Sequence, residues 1–342
     1  MDESIIISPL NITFVVTNKC TSSCKDCCFS CNQKNKDRLT LSEMKDYLDQ
    51  SISKYSSIKA LIITGGECFT IGKDLISIIK YATKKKLSTR IVTNAFWAKT
   101  FKQAYKKLLP LSMVGLKEIN FSTGDEHQKW VPSDNIIYAT VASIKLNFRV
   151  AINVEKQNYT QFSSLSLTED PRLKKYINNA SGQSLTIVES IWMPFTKSTE
   201  KKINCEKKDL LITLPYKRCT SLFKTIAINP KNQMYSCCGL TVDVNPFLNI
   251  GNVAEFSIDE LYNNQFNDFL KIWLYTEGPQ KILEYIFDKG KFERFSTENW
   301  HICQICIELF RNNQYLEFLR NNYEEVYSNI MLKYIFLRKC KL

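Results

Sequence analysis

The sequence predicts an α/β fold built on a buried parallel sheet, and three observations carry that reading. Short apolar, β-branched runs alternate with segments whose apolar positions recur at helical spacing, through residues 1 to 200. The runs are nearly continuous in apolar character, as strands covered on both faces are. The chain, 342 residues with 44% hydrophobic and 23% charged, has material for one large α/β domain with an appendage, or for two ordinary domains.

The elements follow in order. Asn11–Thr17 (NITFVVT) reads as the first strand, and a polar cysteine-rich loop comes after it. Leu41–Ser53 reads as a helix with Thr40 or Ser42 as its cap. Ala60–Thr64 (ALIIT) is the second strand and runs into Gly65, Gly66 and Glu67. Gly72–Lys86 is helical, with Leu75, Ile79 and Ala82 on one face. Thr89–Thr93 is the third strand. Ala98–Leu109 is a helix that turns Phe101, Ala104, Tyr105 and Leu108 inward, and Pro110 is expected to stop it. Glu118–Ser122 is the fourth strand, Ile136–Leu146 a helix, Arg149–Val154 the fifth strand, and Leu185–Ile191 a sixth. Five or six such units build either an open doubly wound sheet or a partial barrel.

From residue 205 the pattern changes. Residues 224–238 read as a hairpin turning on Asn229-Pro230-Lys231-Asn232. Ile258–Trp273 reads as one long helix. The expected units are therefore 1–204 and 205–342.

Composition excludes several classes. The N-terminus carries two early acids and no basic region, so it does not read as a secretory signal. No run reaches the roughly 18 apolar residues that span a bilayer. The 46 Lys+Arg against 34 Asp+Glu leave a net charge of +12, which suits an acidic peptide or nucleic acid. The lysines are spread throughout, however, and a solvated basic surface accounts for them without a nucleic-acid or stable membrane partner. The apolar, basic-ended run 330–342 reads as a helix packed on the barrel, with a membrane surface as the alternative. Thirteen cysteines are too few for a disulfide scaffold of this length and point to metal in a reducing compartment, the cytoplasm.

Five of those cysteines fall between positions 20 and 31. Short spacing lets one loop wrap several thiolates round a soft metal centre, zinc or iron–sulfur. The loop is polar, so it offers no apolar packing for five thiols. The polar features then line up. The cysteines follow strand one, Gly65-Gly66-Glu67 strand two, Thr93-Asn94 strand three and Ser122-Thr123-Gly124-Asp125 strand four, and Asn153 lies near the end of strand five. In parallel α/β folds chemistry gathers at the carboxyl ends of the strands.

Cys20-x3-Cys24-x2-Cys27 after the first strand, with Gly65-Gly66-Glu67 after the second, resembles the radical S-adenosylmethionine (radical SAM) superfamily. The resemblance implies a partial (β/α)6 TIM-like barrel. It implies that Cys20, Cys24 and Cys27 hold a catalytic 4Fe–4S cluster whose open iron chelates S-adenosylmethionine. Gly65 and Gly66 would let backbone approach the methionine amino group, with Glu67 assisting. Ser122 would contact the carboxylate or ribose, and Asn94 and Asn153 would line the same pocket. The sequence departs from the family where an aromatic residue usually precedes the third cysteine: Asp26 stands there, and Phe29 is the nearest substitute. Cys68 replaces the usual proline after the glutamate, and Cys28 and Cys31 are extra.

The second unit resembles the SPASM/twitch extension, an α+β domain carrying auxiliary iron–sulfur clusters. Cys219, twelve residues, Asn232, four residues and Cys237 match its opening motif with Asn in place of Gly. Asn tolerates the left-handed conformation that such a turn needs. Cys303 and Cys306 would complete four ligands. Position 312 is Asn rather than a further cysteine, so one auxiliary 4Fe–4S cluster is expected. Cys238 could replace Cys237, and Cys205 is spare. A structural zinc site is the alternative for the same thiols.

The resemblance implies a peptide substrate, a ribosomally made precursor, with a flavodoxin or ferredoxin as electron donor. The first strand begins near residue 11, so no leader-binding domain is expected ahead of the barrel. The peptide would bind directly or through a separate leader-binding protein. His127, in FSTGDEHQKWVP, is a candidate acid–base or substrate-binding residue, or the anchor of its own loop. Cys31, Cys68, Cys205 and Cys238 are candidate hydrogen-atom donors if the reaction is an epimerisation; thioether or carbon–carbon crosslinking are the other outcomes. Two further readings compete: a radical enzyme acting on a small molecule such as an aminoglycoside or nucleoside, and a zinc-stapled binding protein without catalysis.

Overall fold

The computed structural model describes residues 7–25, 27–156, 160–177, 185–191, 218–297 and 300–339. Cys205, Cys340, Asp26 and the expected boundary at 204/205 lie outside them. Six parallel strands appear in sequential order: β1 (Asn11–Val15), β2 (Ala60–Thr64), β3 (Ser88–Thr93), β4 (Glu118–Thr123), β5 (Arg149–Lys156) and β6 (Leu185–Ile191). Helices occupy the crossovers: α1 (Leu41–Lys54), α2 (Lys73–Lys84), α3 (Phe101–Met113), the short α4 (Asp125–Gln128), α5 (Ser133–Lys145), and α6 (Ser164–Thr168) with α7 (Pro171–Ile177). This is a partial (β/α)6 barrel.

The local causes are visible. Thr40 caps α1 in a reciprocal box with Glu43, whose carboxylate returns to the Thr40 N–H at 2.7 Å. One face of the sheet is buried under the helices through Leu61, Ile63, Ile91, Ile119, Phe121, Val150 and Ile152. The opposite face carries Arg90, Glu118, Asn120, Ser122 and Asn153 and is only partly covered. The register lays Thr13, Ile62, Arg90, Glu118 and Arg149 side by side across that open face. Arg90 Nε pairs with Glu118 Oε1 at 2.7 Å, and Arg149 reaches Glu118 Oε2 at 3.7 Å.

Beyond the barrel strands lie β7 (Thr225–Ile228), β8 (Gln233–Tyr235) and β9 (Asn249–Asn252). β7 and β8 form the expected antiparallel hairpin, and Asn232 takes φ 60 at its turn. β7 also pairs in parallel with β1, so the described strands form one sheet in the order β6-β5-β4-β3-β2-β1-β7-β8-β9. The helices α8 (Ile258–Asn264), α9 (Phe269–Glu277), α10 (Pro279–Lys289), α11 (Ile302–Arg311), α12 (Asn313–Asn322) and α13 (Glu324–Lys339) complete the chain. Among the described residues no helix is long and apolar enough to cross a membrane.

Two expectations are corrected. Pro110 does not end its helix: α3 runs on to Met113, because Leu111 beyond the proline is buried in the core. Ile258–Trp273 is not one helix. The chain turns through residues 265–267, and Asp268 caps a new helix by accepting from Leu270 N at 3.0 Å.

Candidate active site

The cysteine loop is fastened to the end of β2 by backbone alone. Gly66 N donates to Thr17 O at 2.7 Å, and Glu67 N to Lys19 O at 2.9 Å. A Cβ on Gly66 would stand 2.3 Å from Lys19 O, and one on Gly65 (φ +141) 2.6 Å from Thr17 O. The two glycines are thus required where two backbones meet. Cys20 N donates to Asn32 O at 3.0 Å, which closes the loop on itself.

Glu67 does not face solvent. Its buried carboxylate accepts from Thr93 Oγ1 at 2.8 Å, Asn94 N at 2.9 Å and Phe69 N at 3.1 Å. Burial pushes its pKa up to about 7, against the lowering influence of these donors. Asn94 carries the connection onward: its Nδ2 donates to Thr21 Oγ1 at 3.0 Å and Ser22 Oγ at 3.1 Å and lies 3.9 Å from Cys20 Sγ. Glu67 and Asn94 therefore brace the loop beneath Cys20.

The other end of the loop meets the β4 exit. Cys24 Sγ donates to Glu126 O at 3.9 Å. His127 Nδ1 lies 2.7 Å from Glu155 Oε2, and Glu155 Oε1 accepts from Glu126 N and from His127 N. Ser122 and Asn153 are register partners on the open face of β4 and β5, and Asn153 Oδ1 accepts from Ser190 Oγ at 3.2 Å. Phe29 is half-buried against the core.

The thiols divide. Burial pushes Cys20 up to about 11 and Cys24 up to about 12. Cys27 is instead held below the ordinary thiol value, first by the Cys31 thiol and then by the Cys31 and Phe29 N–H groups and the nearby His127. Cys31 is buried, with its Sγ 3.5 Å from Phe29 O, and its thiol also hydrogen-bonds to the Cys27 sulfur. Cys68 is fully buried and donates to Val92 O at 3.2 Å. Cys28 is raised by burial and by the neighbouring Cys27, with Asp243 and Cys303 adding to it.

A second group forms from Cys219, Cys237, Cys303 and Cys306. Burial raises all four, and each of Cys237, Cys303 and Cys306 feels Cys219 beside it. Gly239 packs between Cys303 Sγ and Cys237 Sγ, where a Cβ would stand 3.3 and 3.5 Å away. Cys238 faces the other way. The residue is exposed, but its thiol is set against the Thr13 and Thr225 hydroxyls and Arg90 on the open face of the sheet, and their lowering effects only partly offset the burial of the sulfur.

The donor set fits iron–sulfur ligation. Ser22 N points at Cys20 Sγ (3.4 Å), Gly239 N at Cys237 Sγ (3.5 Å) and Asn245 Nδ2 at Cys306 Sγ (3.6 Å). N–H donors on sulfur stabilise cluster-bound thiolates and tune their iron. Among the described residues no three His, Cys, Asp or Glu side chains are gathered around one point as the shell of a single metal ion. In a cluster each thiolate binds its own iron, so the sulfurs stand farther apart than around a single ion.

Sequence reasoning missed Glu155 and the Arg90–Glu118 pair. Glu155 sits in RVAINVEK at a position of open-face parity, and its burial comes from the chain that Gly124 carries over it. The glycine in STGDEH was the available signal.

A family model described as a 4Fe-4S single cluster domain matches residues 11–137. YydG of Bacillus subtilis (strain 168), ascribed by its name to peptide biosynthesis, is 20% identical over 336 residues, 93% of this chain and 97% of that protein. The solved structure of anSMEcpe with bound AdoMet and Cp18Cys peptide has a TM-score of 0.52 at 12% identity, covering 94% of this chain and 99% of that one. Streptococcus suis SuiB bound to precursor peptide SuiA is a weaker likeness, with a TM-score of 0.45 at 17% identity over 77% and 67% of the chains. In fold and in its cysteine motif the chain resembles the radical SAM enzymes, peptide-modifying ones included.

Proposed function

We propose that this chain is a radical SAM enzyme with one auxiliary cluster, and that it epimerises residues of a ribosomally made peptide. The observation that carries the enzyme class is the Cys20/Cys24/Cys27 loop seated on Gly65-Gly66 at the carboxyl end of the sheet. When bound, the cluster supplies the electron that cleaves the cofactor sulfonium and frees a 5′-deoxyadenosyl radical. Cys20, Cys24 and Cys27 would hold that cluster, and Ser122 and Asn153 border the open face where cofactor and peptide would lie. Glu67 and Asn94 act as positioning residues, since the Glu67 carboxylate is occupied by protein donors.

Cys238 favours epimerisation over crosslinking. Of the four spare thiols, Cys31 and Cys68 are buried and Cys205 lies outside the described residues, whereas Cys238 is exposed and neighbours Thr13, Thr225 and Arg90. Thr13 and Arg90, its neighbours, belong to a row of side chains below Ser122 and Asn153. Abstraction from the strand-end side and return from below would invert a Cα centre. Cys238 would give its S–H hydrogen to a Cα carbon from which the bound cofactor had removed one, the removed hydrogen leaving as 5′-deoxyadenosine. The sulfur radical left behind takes one electron and one proton, the electron from a flavodoxin- or ferredoxin-class donor. Cys219, Cys237, Cys303 and Cys306 would hold the auxiliary cluster as a relay for it.

Anaerobic reconstitution with iron and sulfide counting tests the class: about eight irons per chain follow from two four-iron clusters. Turnover in D2O with a peptide encoded beside the gene tests the reaction. One deuterium per inverted residue is expected, and Cys238→Ala should still form 5′-deoxyadenosine without inversion. Zinc in place of iron overturns the class; inversion by the variant overturns the assignment of Cys238.

A further inference from the structure

Glu155 is a buried carboxylate that no motif accounts for. The chain leaves β4 through Gly124 at φ +134, and a Cβ there would fall 1.9 Å from Glu155 Cγ. That backbone therefore lies directly on the glutamate. One carboxylate oxygen takes the N–H groups of Glu126 and His127, and the other takes His127 Nδ1 at 2.7 Å. The carboxylate thus grips the turn by its backbone and by its ring together. The same turn presents the Glu126 carbonyl to the Cys24 thiol at 3.9 Å. Side-chain exposure is 4% for Glu155 and 16% for His127, so neither is a solvated surface group.

We infer that Glu155 is a positioning residue for the catalytic cluster: it clamps the β4–α4 turn and the His127 ring as the wall on the Cys24 side. This rests on the cluster reading above. Glu67 and Asn94 brace the loop from beneath Cys20, and Glu155 with His127 closes it from the opposite side. Outer partners of this kind orient the ligating groups and shape the polarity around the metal. The carboxylate acts through the turn backbone and the histidine ring together, so its influence should shrink when the ring is gone.

The test uses the full-length protein reconstituted anaerobically, with Glu155→Gln, His127→Gln and the double variant. Circular dichroism of each apo-protein checks folding. The readouts are the S-adenosylmethionine-induced change in the EPR signal of the reduced cluster, and its iron loss to a chelator. Each single variant should alter that EPR signature and lower cluster affinity by about tenfold or more. The double variant should lose less than the sum of the two single losses, because both residues hold the same turn. Wild-type signals and retention in folded single variants, or additive losses in the double variant, overturn the inference. If the wild-type protein takes up no iron, the cluster reading itself fails instead.

Discussion

Glu67 shows what burial does to a single side chain. Its carboxyl is fully buried, and four protein donors, Thr93, Asn94, Phe69 and Cys68, only partly replace the lost solvation. Its folded pKa of about 7 therefore lies above the ordinary 4.5. A raised acid stabilises the fold fully below pH 4.5 and loses that contribution as the pH climbs through 7. At about 1.4 kcal/mol per unit, the apo-protein should lose on the order of 3 kcal/mol over that window. Urea midpoints at several pH values will check this: Glu67→Gln should flatten the decline, and parallel curves for the two proteins would refute it. The clustering of the loop cysteines was legible at this scale from their spacing, while the choice of Cys20, Cys24 and Cys27 among them came from the family resemblance. The split between Cys237 and Cys238 was not legible. Two adjacent residues of a strand end face opposite ways, and only the paired strands decide which face is which.

At the scale of elements, local signals worked where they act locally. The Thr40–Glu43 box, the boundaries of β2 and β6, and the turn at Asn232 all depend on neighbours a few residues away. They failed where a distant contact outweighs propensity. Pro110 sits inside α3 because burying Leu111 offsets the hydrogen bond that proline denies to the turn before it. Pro110→Ala should consequently raise stability by about 1–2 kcal/mol: a helix-interior proline costs about 3 kcal/mol, partly recovered from the unfolded chain. Thermal unfolding will show the gain, and a lower melting temperature would mean that the proline ring packs productively. The break at Asp268 has the same character. Apolar spacing continues across it, but the cap gives the backbone a better end.

The whole molecule is tied together by one strand pairing. β7 lies against β1, so the barrel's first strand is internal to the sheet instead of forming its edge. Tyr262 reinforces the join, donating to Ile7 O at 2.7 Å and to Phe223 O. A fragment of residues 1–204 would leave the N–H and C=O row of β1, with Ile12 and Phe14, unpaired. It should aggregate or elute as a broad high-mass species in size-exclusion chromatography where the full chain gives a single peak. A monodisperse, folded fragment would show instead that the barrel is self-sufficient.

By itself the sequence determined the order of strands and helices, the thiol groups and the end of the sheet where they gather. Those depend on side-chain period and on spacing along the chain. The tertiary structure alone decided that Glu67 is bound by the neighbouring strand, that Glu155 lies beneath the Gly124 turn, and that Cys238 lies beside Thr13, Thr225 and Arg90. Each of these is a contact between residues distant in sequence, and burial, which sets their chemistry, exists only once the strands are side by side.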